Sequence, residues 1–228
     1  MTRLLVVCAL LSSAASAQQL KTDDEKSLYA IGFIVGSRNL GPLNLKPEEM
    51  KIVERGLADG ASGKKAAMDV EAQMEKVNAF AQGRSSAAAD KEKVAGREIA
   101  EKAAKEPGAK KFDVDLGGGK KSFFVYKQLK AGDGPGPAAS DKVKVNYEGR
   151  LTNGTVFDSS YKRGTPAEFP LNGVIKCWTE GVQKMKVGEK ARLVCPSDIA
   201  YGDHGHPPTI PGGATLVFEV ELLGIEGK

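Results

Sequence analysis

The chain has 228 residues, enough for one large domain or two small ones. Hydrophobic residues make up 41% and charged residues 27%, a globular balance that excludes a fully disordered chain. Three Cys and two His exclude zinc ribbons and disulfide-dense scaffolds, and a net charge of +4 with interspersed signs does not by itself imply nucleic acid.

Met1–Gln19 has the layout of a secretory signal. Arg3 supplies the positive end, Leu4 to Leu11 the apolar core, and Ala15-Ser16-Ala17 the small-x-small cleavage site. Residues 1–17 are therefore expected to be removed, leaving a periplasmic or secreted product in an oxidising compartment. The apolar run is shorter than the roughly 20 residues that span a bilayer, and no later run is longer, so no membrane span is expected.

Residues 18–68 are expected to form a helical module. Leu28, Ile31, Ile34 and Val35 recur at helical spacing, and Gly41-Pro42 ends that helix. Pro47, followed by Glu48 and Glu49, opens a second helix with Met50, Val53 and Leu57 as its apolar stripe. Gly60 to Gly63 breaks it.

Residues 69–108 are expected to form one long connecting helix, stopped by Pro107-Gly108. Some 37 residues without proline would extend roughly 55 Å. Val70, Met74, Val77, Ala81, Val94 and Ile99 make a stripe too thin to bury against a compact core. The two shorter helices hold too few apolar residues for a core of their own. Residues 20–106 are therefore expected to associate with a second copy, giving a homodimer.

Residues 109–228 follow a different pattern. Ser122–Leu129 looks like a strand, and Ala131 to Ser140 is a Gly/Pro-rich turn region. Val143, Val145 and Tyr147 alternate with Lys144, Asn146 and Glu148, the period of a half-wet strand. Asn153-Gly154 signals a hairpin. Val174 to Gln183 suits one short helix, and Lys190–Cys195 and Ala214–Leu223 are further strands. Many strands around one short helix define an α+β domain with an antiparallel sheet.

This half resembles the FKBP-type peptidyl-prolyl isomerases over about residues 120–226. The resemblance rests on five blocks in order: Val145 to Gly149 (VNYEG), Asn153 to Ser160 (NGTVFDSS), Val174 to Gly181 (VIKCWTEG), Ala200 to Gly202 (AYG) and Ala214 to Leu222 (ATLVFEVEL). The helical half and long connecting helix resemble the N-terminal dimerisation module of the periplasmic macrophage-infectivity-potentiator branch. What the resemblance implies is a half-open antiparallel sheet wrapped around one short helix, with an apolar prolyl pocket between them. The catalytic set it implies is Tyr147, Phe157, Asp158, Ile175, Trp178, Tyr201 and Phe218. Phe169, Val174, His206 and Ile210 would complete the substrate-binding wall, with His206 on a flap over the rim. Trp178 would be the floor, and the Tyr201 hydroxyl and Ile175 N–H would bind substrate carbonyls. Asp158 is expected beside the pocket, near Arg163 and Tyr147. Without the resemblance, Trp178 and Phe218 would read as ordinary core, and Asp158 as a turn cap.

The implied reaction suits these residue types. Rotation about X–Pro breaks no covalent bond, and its barrier of about 18–20 kcal/mol comes from C–N double-bond character. It needs no nucleophile, metal or cofactor, and none is expected. An apolar aromatic site favours the less dipolar twisted imide over either planar end state. Asp203-His204-Gly205-His206 fits no closed zinc spacing and is read as flap. The implied partners are proline-containing unfolded or partly folded polypeptides and a rapamycin-like macrolide inhibitor; nucleic acid is not expected. The competing function is a dimeric periplasmic holdase that binds unfolded clients in the cleft between two arms.

Two positions depart from the family pattern. Ala167 stands at a rim position that is often aromatic. Cys177 replaces a common glycine before Trp178, and Cys195 lies on the strand expected beneath that helix. These two cysteines are either a disulfide or a pair of buried thiols.

Overall fold

The computed structural model describes residues 20–227, so the expected signal segment lies outside the described residues. Three helices come first: α1 (Asp23–Val35), α2 (Pro47–Ala61) and α3 (Met74–Ala103). Thr22 caps α1. Its side chain accepts the Glu25 N–H while the Glu25 carboxylate accepts the Thr22 N–H, satisfying two orphan donors reciprocally. A π-turn at Gly36–Leu40 and a 3-10 turn at Gly41–Leu43 carry the chain to Asn44, whose positive φ of 47° reverses it. Neither α1 nor α2 buries a residue. Leu28, Ile31 and Phe33 are each at least 60% exposed.

The long helix is shorter than its proline-free window. A bend and a 3-10 turn at Glu71–Gln73 occupy the start of that window, and α3 runs for 30 residues, about 45 Å. The expectation that α3 is too thinly apolar to bury is corrected over its second half. Ala89, Gly96, Ala100 and Ala103 are buried. Small side chains rather than large ones make this face, and they bring the helix backbone close to the next domain. A Cβ on Gly96 would lie 2.3 Å from the Thr215 hydroxyl oxygen.

Seven antiparallel strands form one sheet in the order β1-β2-β6-β7-β3-β4, with β5 also on the edge of β3. They are β1 (Ala109–Gly117), β2 (Lys120–Lys130), β3 (Lys142–Leu151), β4 (Val156–Ser159), β5 (Ala167–Pro170), β6 (Lys190–Cys195) and β7 (Leu216–Ile225). The sheet is not closed: β1 ends it on one side, and β4 and β5 share the outer edge of β3 on the other. The sequence reading missed β1, although Phe112, Val114 and Leu116 alternate with Lys111, Asp113 and Asp115, and it missed the four-residue β5. Two short helices complete the domain, α4 (Ser160–Arg163) and α5 (Lys176–Val182).

The two faces of the sheet have different covers. On one, α5 packs Cys177, Trp178 and Val182 into the main core with Phe124, Tyr126, Leu193, Val220 and Leu222. A Cβ on Gly181 would sit 2.9 Å from a Leu193 methyl, so only glycine lets α5 approach so near. On the opposite face Phe123, Val125 and Val194 pack against Ala100 and Ala103 of α3. Thus β2 is covered on both sides, which accounts for the unbroken buried run Ser122–Tyr126. Ion pairs line this helix–sheet seam: Lys111–Glu101 at 2.7 Å, Lys127–Glu106 at 3.0 Å, and Arg192–Glu106.

Candidate active site

Five aromatic rings from five separate elements meet between α5 and the concave side of the sheet. Tyr147 comes from β3, Phe157 from β4, Phe169 from β5, Trp178 from α5 and Phe218 from β7. Trp178 is the hub. Its ring centroid is 5.1 Å from Tyr147, 5.8 Å from Phe169 and 5.4 Å from Phe218, all edge-to-face. Phe157 meets Phe218 edge-to-face at 5.6 Å, and Tyr147 meets Phe169 at 5.9 Å. Edge-to-face packing is the favoured geometry for aromatic quadrupoles, and it makes a wall of fixed rings. Tyr147, Trp178 and Phe218 are buried; Phe157 and Phe169 are partly open.

Local sequence dictates each placement. Alternation along β3 sends Val143, Val145 and Tyr147 inward, and alternation along β7 does the same for Phe218. Gly149 stands directly opposite Phe218 in the strand register. A Cβ there would lie 2.6 Å from the Phe157 ring and 2.9 Å from the Phe218 ring, so the missing side chain is what lets those rings meet. The sequence reading used Gly149 only as part of a block and missed this role. It also missed Ser160, whose buried hydroxyl accepts the Tyr147 N–H at 2.9 Å and donates to Asn146 Oδ1 at 3.0 Å, fixing β3 to the end of β4.

Trp178 lies in the first turn of α5, after Val174 and the Ile175 N-cap. The Ile175 carbonyl accepts the Trp178 N–H at 2.9 Å. The Ile175 N–H precedes the helix and has no partner within it. The Trp178 indole Nε1 is buried with no hydrogen-bond partner among the described residues.

One polar group flanks the rings. The Tyr147 hydroxyl donates to Asp158 Oδ2, and Arg163 donates to Asp158 Oδ1 and, at 3.1 Å, to the Tyr147 oxygen. Ser159 caps α4 by accepting the Lys162 N–H, and this short helix carries Arg163 into place. A carboxylate beside an apolar pocket needs a partner, and it has two. Burial, reinforced by Asp158, pushes the Tyr147 phenol above its ordinary value, as burial also does for Tyr201. Bonds to Tyr147 and Asp158 raise the Arg163 guanidinium further.

The loop from Ala200 to Thr215 carries the expected residues Tyr201, His206 and Ile210, of which Ile210 shares the core with the rings. Tyr201 is 38% exposed, and its ring meets His206 at 5.6 Å. The His206 N–H donates to the Ile210 carbonyl at 2.8 Å and the Ile210 N–H returns the bond at 3.0 Å, a tight loop closure. Ile210 is buried in the main core, and Val174 and Ile175 pack against that core. Cys177 and Cys195 are joined by a disulfide with Cα atoms 5.8 Å apart, tying α5 to β6 one residue from Trp178.

The sequence matches two family descriptions. Residues 134–223 match the FKBP-type peptidyl-prolyl cis-trans isomerase, and residues 24–116 match the domain amino terminal to it. The FKBP-type peptidyl-prolyl cis-trans isomerase FkpA of Escherichia coli strain K12 is 40% identical over 228 residues, covering 94% of this chain and 80% of that protein. The peptidyl-prolyl cis-trans isomerase Mip of Coxiella burnetii is 36% identical over 225 residues, covering 95% of this chain and 93% of that protein. The crystal structure of FkpA from Escherichia coli aligns with a TM-score of 0.64 at 37% identity, covering 91% of this chain and 98% of that one. An open antiparallel sheet, a cluster of five aromatic rings over one short helix and these matches together define the class, an isomerase of peptide bonds before proline. The chain belongs to the FKBP-type peptidyl-prolyl cis-trans isomerase family, in its form with an amino-terminal helical domain.

Proposed function

We propose that the isomerase activity resides at the aromatic cluster around Trp178, and that it works without covalent chemistry. The observation that carries this reading is the convergence of Tyr147, Phe157, Phe169, Trp178 and Phe218 around one apolar floor. The prolyl ring sits on Trp178. The X–Pro imide passes through its twisted state in surroundings of low polarity, where loss of the planar dipole is least opposed. The Tyr201 hydroxyl and the Ile175 N–H hold flanking substrate carbonyls, which fixes the peptide while the imide turns. Asp158, held by Tyr147 and Arg163, keeps the rim polar and its rings in place. Lowering the barrier by about 5–6 kcal/mol gives roughly four decades in rate.

The substrates are proline-containing polypeptides in unfolded or partly folded form. The chain acts as a homodimer through its helical part; support comes from α1, whose large apolar side chains are exposed and which buries nothing. It acts in the periplasm or another oxidising compartment, a reading supported by the signal-like residues 1–17 and by the disulfide. No helix among the described residues is long and apolar enough to cross a membrane.

The test is cis–trans exchange of a short X–Pro peptide by the folded protein, with and without rapamycin. Fast exchange that rapamycin blocks is expected, and Trp178→Ala and Tyr201→Phe should each lower it at least tenfold with the fold intact. Full activity in both variants would remove this cluster as the catalytic site.

A further inference from the structure

The loop that carries Tyr201, His206 and Ile210 does not rest on the isomerase domain alone. Its base is seated on α3. Gly213, at φ 76°, meets the helix backbone so closely that a Cβ there would lie 2.1 Å from the Ala89 carbonyl oxygen. Gly212 makes only ordinary contact with the Ala89 methyl; its close approach is within the loop, where a Cβ would lie 2.1 Å from the Asp203 carbonyl oxygen. Two residues past the loop's glycines, Thr215 sits in the notch left by Gly96. Lys93 pairs with Asp203 in the loop itself, and Arg97 reaches Asp198 just before it at 3.7 Å. Ala89, Lys93, Gly96, Arg97 and Ala100 lie at spacings of three, four and one, one face of the helix. The loop closes on itself at the same place, where the Gly213 N–H donates to the Gly202 carbonyl at 2.9 Å, next to Tyr201.

We propose that α3 is the back wall of the flap, and that Lys93, through Asp203, is a positioning residue for Tyr201 and Ile210 in the isomerase site. The inference rests on the reading above only for the role of Tyr201 and Ile210. Lys93 touches no substrate; it acts by fixing the loop at Asp203, two residues after Tyr201. Lys93 is a third exposed and Asp203 more than half, so the effect of the pair is modest and electrostatic. The ammonium of Lys93 is held above its ordinary value by the bond to Asp203, so Lys93 stays charged through neutral pH.

The test uses the full chain and measures KM and kcat separately for a short X–Pro peptide, by exchange spectroscopy. Lys93→Glu sets two carboxylates against each other at the flap base. It is expected to raise KM about three- to fivefold, with kcat within a factor of two and an unchanged melting temperature. Lys93→Arg should leave KM as it was. The exchanged pair, Lys93→Glu with Asp203→Lys, should restore it. An unchanged KM in Lys93→Glu overturns the proposal, and so does a raised KM that the exchanged pair does not restore. Tyr201→Phe, measured beside them, tests the site itself. Full activity in that variant would count against Tyr201 as a substrate contact and leave the effect of Lys93 to be judged by KM alone.

Discussion

Two phenols stand in the site, and their environments act in the same direction. Tyr147 is raised by burial first and by its bond to Asp158 second, partly opposed by Arg163. Tyr201 is raised by burial first and by the nearby Asp158 charge second. A raised phenol means that the folded protein favours the protonated form. The stabilisation is therefore complete below the ordinary phenol value of about 10 and is lost as pH climbs through the higher folded value. Both hydroxyls accordingly remain donors throughout the neutral and mildly alkaline range. The specificity constant kcat/KM for an X–Pro peptide is expected to be flat on its alkaline side up to pH about 10 and to fall above it. A decline centred below pH 9 that disappears in Tyr201→Phe would show that the phenol ionises early, contrary to its burial.

At the level of elements, α5 is short for a helix that carries the hub of the aromatic cluster. Its seven residues cannot hold a fixed orientation by backbone bonds alone. Two covalent and packing devices hold it: the bridge from Cys177 to Cys195 on β6, and the approach of Gly181 to Leu193. Closing a loop across a separation of 18 residues stabilises a fold by about 3 kcal/mol. Reduction, or Cys177→Ala with Cys195→Ala, is therefore expected to lower the melting temperature by on the order of 10 °C. Counting free thiols on unfolded, unreduced protein should find neither of these two. An unaltered melting curve after complete reduction would count against this role. The same region shows where the sequence is legible. Residue blocks around Tyr147, Phe157, Trp178 and Phe218 carry a family pattern, and period-2 alternation marks β3 and β7. The short strand β5 carries no such signal, because four residues show no period and so short a run does not announce its pairing with β3. The two-sided burial of β2 was equally out of reach, since an apolar run does not say what covers each face.

For the molecule as a whole, the helix–sheet seam moves the boundary of the isomerase unit. Pro107-Gly108 looks like a domain border, yet Phe123, Val125 and Val194 are buried beneath the far half of α3. Stripping the helix away would expose three large side chains, each worth about 1.5–3 kcal/mol, against a total stability of about 5–15 kcal/mol. A fragment of residues 84–227 is thus expected to be monomeric, folded and active on peptides. A fragment of residues 109–227 should melt far lower and aggregate. Protection of an aggregating client, followed by light scattering, is expected from the full chain and not from residues 84–227, which lack the exposed apolar faces of α1. Equal protection by that fragment would place client binding on the isomerase unit rather than between two arms.

The double cover of β2 also sets an order of events as the chain folds. Helix α3, β1 and β2 follow one another directly, so their mutual contacts close short loops. The central pairing of β3 with β7 joins residues some 70–80 apart, such as Tyr147 with Val220, and must close a far longer one. Local closures carry the smaller entropic cost and proceed faster. The helix that seats the flap therefore docks with the first hairpin early, and the outer face of β2 is sheltered while its inner face still awaits α5. The chain is in this way spared an open, two-faced apolar strand during its own unfinished state.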